Sequence, residues 1–501
     1  MPNTLDNPYA EKSGTPYVWM RGNLHCHSTR SDGKREAQAV IDAYAKLGHD
    51  FFALSDHDIL SDYKGLDARG LILIPANEVS RGGPHILHVG AQELIEPRGD
   101  RQAVIDAINS SGGFAILNHA DWEEHFNHYS FEDLQRYQRY TGMEIYNGSI
   151  LEDPGSPYSV DKWDRLLGDD RLLWGYATDD SHNTHHDGRG CCVVRVPKGT
   201  RDPAVIVEAL RNGNFYASTG VEIAQIQVTG SKLSIEAPNA HLIELVGAFG
   251  ARLQWTEGTR AEFDVGAIAS PYVRLECTGA KGTKAWTQPF RMRGEVLDRL
   301  RSLAAHRPAL KVSRLSGAID LSLPQPDPQW NQAPESAQFY LAGTAGTPSV
   351  QTRVQACCNA THLFVRVRCA EPKMEQVKFD RVNDGGSVNW GADSAELFLD
   401  VEGKGERYYH LLANPAGDLT WTGMRGLKGR VEAQVRARRD SAEWTVEFAI
   451  ALEPMGASAA PGKKWGFHVC RNRPIAKETS FWAWVGRTNH APQRFGTLEF
   501  A

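Results

Sequence analysis

The stretch Gly22-Asn23-Leu24-His25-Cys26-His27-Ser28, with Asp32-Gly33 just beyond it, decides how this chain reads. It has the character of a short strand that runs into a loop. Alternate side chains of a strand share a face, so His25 and His27 point together while Leu24 and Cys26 point the other way. Two imidazoles on one face, with the Asp32 carboxylate close behind, gather three candidate metal ligands. Cys26, aimed away from them, reads as a small core residue.

Working outward, four more polar clusters each follow a largely apolar run of strand length. Phe51-Phe52-Ala53-Leu54-Ser55 stops at Asp56-His57-Asp58, and Leu71-Ile72-Leu73-Ile74-Pro75-Ala76 stops at Asn77-Glu78. Phe114-Ala115-Ile116-Leu117 stops at Asn118-His119, and Leu172-Leu173-Trp174-Gly175-Tyr176-Ala177 at Thr178-Asp179-Asp180-Ser181-His182. Residues 36–47 and 101–110 carry apolar side chains at helical spacing. Strands alternating with helices predict a parallel sheet or barrel, whose active site gathers beyond the carboxyl ends of the strands. All five clusters fall there.

The set His25-x-His27 with Asp32, Ser55-Asp56-His57, Glu78, His119 and Asp180-x-His182 resembles the polymerase and histidinol phosphatase (PHP) superfamily of metal-dependent hydrolases. The resemblance covers about residues 18–220. Its last part, Asn214-Phe215-Tyr216-Ala217-Ser218-Thr219-Gly220, resembles a segment of a subgroup that includes carbaryl-hydrolase-like metallohydrolases. It implies a distorted (β/α)7 barrel holding two or three divalent ions (Zn, Mn or Fe). The implied ligands are His25, His27, Asp32, His57, Glu78, His119, Asp180 and His182, with Glu78 bridging two ions. His85 aligns with a histidine that reaches the metals or the substrate and is preferred over His88, three residues on. Asp32 stands where some members carry histidine.

Other polar residues have looser parts. Asp56 is expected to orient a ligand or accept its ring proton. Arg81, and likewise Arg189, sit in loops that should open on the metal face and can hold an anionic group. Glu144 is expected to line the pocket, the segment Asp121-Trp122-Glu123-Glu124-His125 to shape access, and His185-His186 to be exposed.

With 501 residues, the chain is expected to hold two or three domains. Its 55 basic and 61 acidic residues provide no long basic surface for a nucleic-acid polymer. Eight cysteines without zinc-knuckle spacing, and no charged-then-apolar segment in residues 1–17, predict reduced thiols in a cytoplasmic protein. No apolar run is long enough for a membrane helix. Residues 221–290 alternate apolar and polar side chains and predict a small separate β-sandwich, followed by a connector over 291–317.

Residues 318–501 predict a further β-sandwich. Trp330, Asn389-Trp390-Gly391, Tyr408-Tyr409, Asn414-Pro415-Ala416-Gly417 and Arg471-Asn472-Arg473 resemble a family 9 carbohydrate-binding module. Trp390 would stack on a sugar and Arg471 would bind its hydroxyls, whereas Trp444, Trp465 and Trp482 read as core.

The function expected from all this is hydrolysis of a small or sugar-linked phosphoester by a metal-bridged hydroxide. A carboxyl or carbamate ester hydrolase with the same centre is the alternative, and a glycan-binding protein with an inactive barrel the second.

Overall fold

In the computed structural model, residues 3–11, 14–268, 270–342, 346–379, 391–424, 426–427, 429–485 and 488–501 are described. They divide into two compact units, Met1–Leu297 and Asp298–Ala501.

The first unit begins with β1 (Thr4–Asp6), β2 (Tyr17–Asn23), α1 (Ala37–Lys46), β3 (Phe51–Phe52), β4 (Ile72–Leu73), β5 (Ala76–Val79) and β6 (Ile86–Val89). It continues through α2 (Arg101–Ser110), β7 (Phe114–Leu117), α3 (Phe131–Arg136), β8 (Gly142–Asn147), α4 (Val160–Gly168) and β9 (Trp174–Thr178). After these come β10 (Cys191–Pro197), α5 (Pro203–Arg211) and β11 (Phe215–Ser218). Both helices expected from spacing form. α1 buries Ala37, Val40, Ile41 and Tyr44 along one stripe. The carboxylate of Asp100 caps α2 by accepting from the Gln102 and Ala103 amides.

Strands β2, β3 and β4 pair in parallel, as do β7, β8 and β9. A hairpin of β5 and β6 adds to β7 antiparallel. Two isolated parallel bridges, His57 with Glu78 and Cys26 with Ser181, join the two sheets just beyond the ends of β3 and of β2 and β9. The apolar run at 71–76 breaks at Pro75, which has no amide hydrogen for a ladder, so Glu78 sits inside β5 opposite Leu87 rather than after a strand end.

Residues 221–290 are β-rich but not a separate sandwich. They form β12 (Gln225–Thr229), β13 (Lys232–Glu236), β14 (Ala240–Gly247), β15 (Ala251–Glu257), β16 (Arg260–Asp264), β17 (Tyr272–Gly279) and β18 (Lys284–Thr287), with β19 (Phe290–Arg293) next. Strand β18 pairs with β11, and β11 with β10, so one sheet runs across the expected border at 220. A buried ion pair reinforces this junction. The Arg274 guanidinium of β17 donates to both Asp164 oxygens of α4, at 2.8 and 2.7 Å, and Tyr272 donates to the same carboxylate.

In the second unit, strand Ala309–Arg314 pairs in parallel with Gly496–Phe500 and with Thr352–Cys358. The unit therefore starts before residue 318, and part of the expected connector is a sheet strand. Side chains from both arms of its sheet, such as Val365 and Trp444 from one and Leu397 and Phe467 from the other, share one core as in a sandwich. Trp330, Trp444, Trp465 and Trp482 are buried.

Arg471 corrects an expectation. It is only 1% exposed, donates to the Ala370 carbonyl at 2.9 Å, lies 3.4 Å from Glu371 and stacks on Trp444. A guanidinium enclosed this way neutralises a buried carboxylate and has no face left for a sugar. Trp390 lies outside the described residues.

Candidate metal centre

His25 and His27 leave the end of β2 on one face, as alternation requires, and Cys26 turns into the core beside Leu54 and Tyr44. The loop that follows folds back tightly. A Cβ on Gly33 would lie 2.4 Å from the His27 carbonyl oxygen, so only glycine lets Asp32 return toward His27. His119 (φ 29°) and Asp180 (φ 49°), just past β7 and β9, adopt left-handed backbone that non-glycine residues avoid. Strain of this kind gathers where the surrounding fold fixes a functional side chain.

Ligand-type atoms converge in overlapping sets. His25, His27 and Asp180 form one, His57, Glu78 and His85 another, and His27, Asp32, His57 and His182 a third, each with its atoms within 4.8 Å of one another. The two oxygens of Glu78 divide between neighbours. Oε2 lies 2.9 Å from His57, 3.4 Å from His25 and 3.6 Å from His27; Oε1 lies 3.1 Å from His85 and 3.4 Å from His119. Asp180 Oδ1 is 3.1 Å from His27 and 3.2 Å from His25, and Asp32 Oδ2 is 3.4 Å from both His57 and His182. All eight expected ligands and His85 thus come together. His88 does not. Its Nε2 lies 3.3 Å from Ser111.

The charge balance is tense. Burial would raise the Glu78 carboxyl, but His25, His85 and His119 outweigh it and hold it well below the usual carboxylate range. Asp180 behaves the same way, with His25 and His27 overriding burial. Burial opposes a charge on His57, yet Asp32 and Glu78 lift it to about 10. His25 Nε2, His57 Nδ1 and Glu78 Oε2 are buried without a hydrogen bond and point at one another. Buried carboxylates facing unbonded imidazole nitrogens are a donor set that divalent cations fit.

Further residues hold this set in place. Glu144 of β8 is buried and accepts from His25 Nδ1 (2.7 Å), Thr178 (2.6 Å), the His119 amide (2.7 Å) and Asn147 (2.9 Å). It fixes the His25 ring from behind instead of lining a pocket. Asn118 donates to Glu78 Oε1 at 2.6 Å. Asp56 accepts from the Ser28 amide and hydroxyl and from Ser31. It ties down the loop after His27, and Ser31 lies 3.4 Å from His27 Nδ1, so any influence on a ligand runs through the serine. Arg81 is 79% exposed and bonds Asp58 at 3.3 Å. Arg189 donates to the Gly148 carbonyl at 2.9 Å and pairs with Glu152, which His185 also meets at 2.9 Å.

His128 went unnoticed in the sequence. Its ring is 4.7 Å from that of His119 and 4.9 Å from that of His85, and one of its nitrogens belongs to a set with theirs. Burial, then His119 and His85, push it down to about 2. The signal available was only a histidine in a polar loop nine residues past His119.

Residues 324–501 match the family model described as carbohydrate family 9 binding domain-like. No curated protein matches the chain. Among solved structures, a two-domain protein from Bacteroides vulgatus, described as containing a predicted PHP-like metal-dependent phosphoesterase, is 20% identical with a TM-score of 0.35, covering 55% of this chain and 95% of that one. A family 9 carbohydrate-binding module from Caldicellulosiruptor kristjanssonii in complex with cellotriose is 18% identical with a TM-score of 0.28, covering 38% of this chain and 93% of that one. An amidohydrolase from Chromobacterium violaceum with bound sulfate is 18% identical with a TM-score of 0.25, covering 32% and 87%.

Proposed function

We propose that the first unit is a metal-dependent hydrolase of PHP type, acting on a phosphoester, and that the second binds carbohydrate. The observation that carries the first half is the division of Glu78, one oxygen toward His25, His27 and His57 and the other toward His85 and His119. A carboxylate between two cation positions would place its oxygens in this way, each facing imidazole nitrogens. The mostly parallel strands, with β6 the antiparallel member, joined by the bridges at His57–Glu78 and Cys26–Ser181 support reading the unit as the distorted (β/α)7 barrel.

His25, His27, Glu78 and Asp180 would hold one ion, Glu78 with His85 and His119 a second, and Asp32, His57 and His182 a third. Bound ions would supply Lewis acidity and an activated water. Glu144 and Asn118 keep the donors in register, and the burial of the inner donors keeps competing water out. Several positive charges around one electrophile suit the charge spread over the oxygens of a transferring phosphoryl group.

A carboxyl or carbamate ester is the second reading. It is favoured by Ile59, Phe126 and Leu151, exposed apolar side chains on loops beyond β3, β7 and β8. The eight buried free cysteines support a reducing, cytoplasmic setting.

The deciding experiment loads the full chain with Zn, Mn or Fe and compares p-nitrophenyl phosphate, a phosphodiester, an aryl acetate and an aryl carbamate. Phosphoester turnover that depends on metal is expected. Turnover of the acetate or carbamate alone would establish the second reading, and metal-loaded protein inert to all four would leave glycan binding as the function. For the second unit, oligosaccharide binding by the full chain should weaken in Trp390→Ala.

A further inference from the structure

His128 stands among the candidate ligands, yet its bonding excludes it from them. The His85 amide lies 2.9 Å from His128 Nε2. A main-chain N–H can only donate, so Nε2 accepts, and its lone pair is already used. In the neutral ring the proton then sits on Nδ1, 3.0 Å from Glu123 Oε1, to which it donates. Neither nitrogen is left to bind an ion. The next side chain, Tyr129, donates its hydroxyl to the His85 carbonyl at 2.7 Å. Two consecutive residues therefore grip both polar groups of the His85 backbone.

The grip is itself anchored. Lys162 of α4 donates to the carbonyls of Ala120, Phe126 and Tyr129 at 2.8–2.9 Å and pairs with Asp121 at 2.7 Å, which fastens the loop carrying His128. On the other side, Arg101 donates to the carbonyls of Ser80, Arg81 and Gly83, the turn leading into His85. His85 lies outside β6, where no ladder bond holds its amide, and its imidazole must still meet Glu78.

We propose that His128 is a positioning residue that acts through the His85 main-chain N–H and binds no metal. With Tyr129 it sets the angle at which the His85 imidazole faces Glu78. This inference rests on the functional reading above for its catalytic consequence, but the clamp exists without metal.

The test uses the full chain and three proteins: wild type, His128→Gln, whose amide oxygen can still accept, and His128→Phe, which cannot. Hydrogen exchange at the His85 amide is measured without metal. Zn equivalents per chain are measured by elemental analysis at saturation, and kcat and KM on the best substrate. In His128→Phe the His85 amide should exchange at least about tenfold faster, and kcat should fall about 10–100-fold with KM little changed. His128→Gln should restore most of both, and all three proteins should bind the same Zn equivalents. Loss of one Zn equivalent in His128→Gln would make His128 a ligand and overturn the proposal, as would unchanged His85 protection in His128→Phe. If His128→Phe does not fold, His128→Asn, too short to reach the amide, replaces it with the same expected outcomes. A wild type that takes up no metal would sink the functional reading, while amide exchange would still decide the clamp.

Discussion

Glu144 Oε1 lies 2.7 Å from His25 Nδ1, deep in the first unit, and so presents the opposite nitrogen of that ring to Glu78 and Asp180. A carboxylate behind a ligating histidine fixes its tautomer and raises its basicity. Glu144→Gln should therefore lower metal affinity about 10–100-fold while leaving the fold intact. Competition with a chelator of known affinity checks this, and unchanged affinity would remove Glu144 from the site.

The ligand set makes a blunter prediction. His27→Ala and Glu78→Ala should each abolish turnover and reduce metal content, with the unfolding of the second unit unaffected. Exhaustive chelation should silence the wild type, and Mn, Zn or Fe should restore it. Elemental analysis beside each assay decides the matter, and full metal content with full activity in both variants would refute the assignment.

Stability of the first unit should hinge on Arg274 and Asp164. Removing Asp164 takes from the buried Arg274 guanidinium the carboxylate that meets two of its nitrogens and leaves it Glu276 at 3.1 Å, so the cost is at most that of a charge buried unpaired, about 3–5 kcal/mol. Asp164→Asn should lower urea-unfolding stability by an amount approaching that range, while disrupting an exposed pair such as Lys232 with Glu262 should change it far less. Equal effects of the two disruptions would show that the junction between α4 and β17 is not held as described.

In the second unit, burial holds His468 down to about 3, with His410 and His490 adding to the effect. Folded, it stays neutral. Unfolded, it takes a proton near pH 6.5. Between these values the unfolded chain binds more protons, so stability falls as pH drops from about 6.5 toward about 3, by up to ~1.4 kcal/mol per pH unit from this group. Denaturant titrations between pH 4 and 7 should show the slope, and His468→Gln should flatten it.

Much of the centre was legible because strand alternation and strand ends are written locally. His25-x-His27 and Asp180-x-His182 needed only the knowledge that polar residues after buried strands meet at one face. What was not legible depends on partners far away in sequence. Arg471 reads as a sugar-binding side chain until Glu371, a hundred positions earlier, closes on it. The strands after residue 220 announce themselves by alternation, but alternation does not say that β18 will join β11 instead of closing a sheet of its own. His128 is hidden for a related reason, since its significance lies in a bond to a backbone amide, which no side-chain pattern records.

The exposure of the donors gives the centre a direction. His25 and Glu78 are 0% and 1% exposed, His57 and His182 are 24% and 26%, and Asp32 is 53%. Cations seated on such a slope are not equivalent guests: the outermost meets solvent, chelator and substrate first, and the innermost leaves last. Stripping the protein by graded chelation should thus release metal in steps, with the Asp32 end emptying ahead of the His25 end.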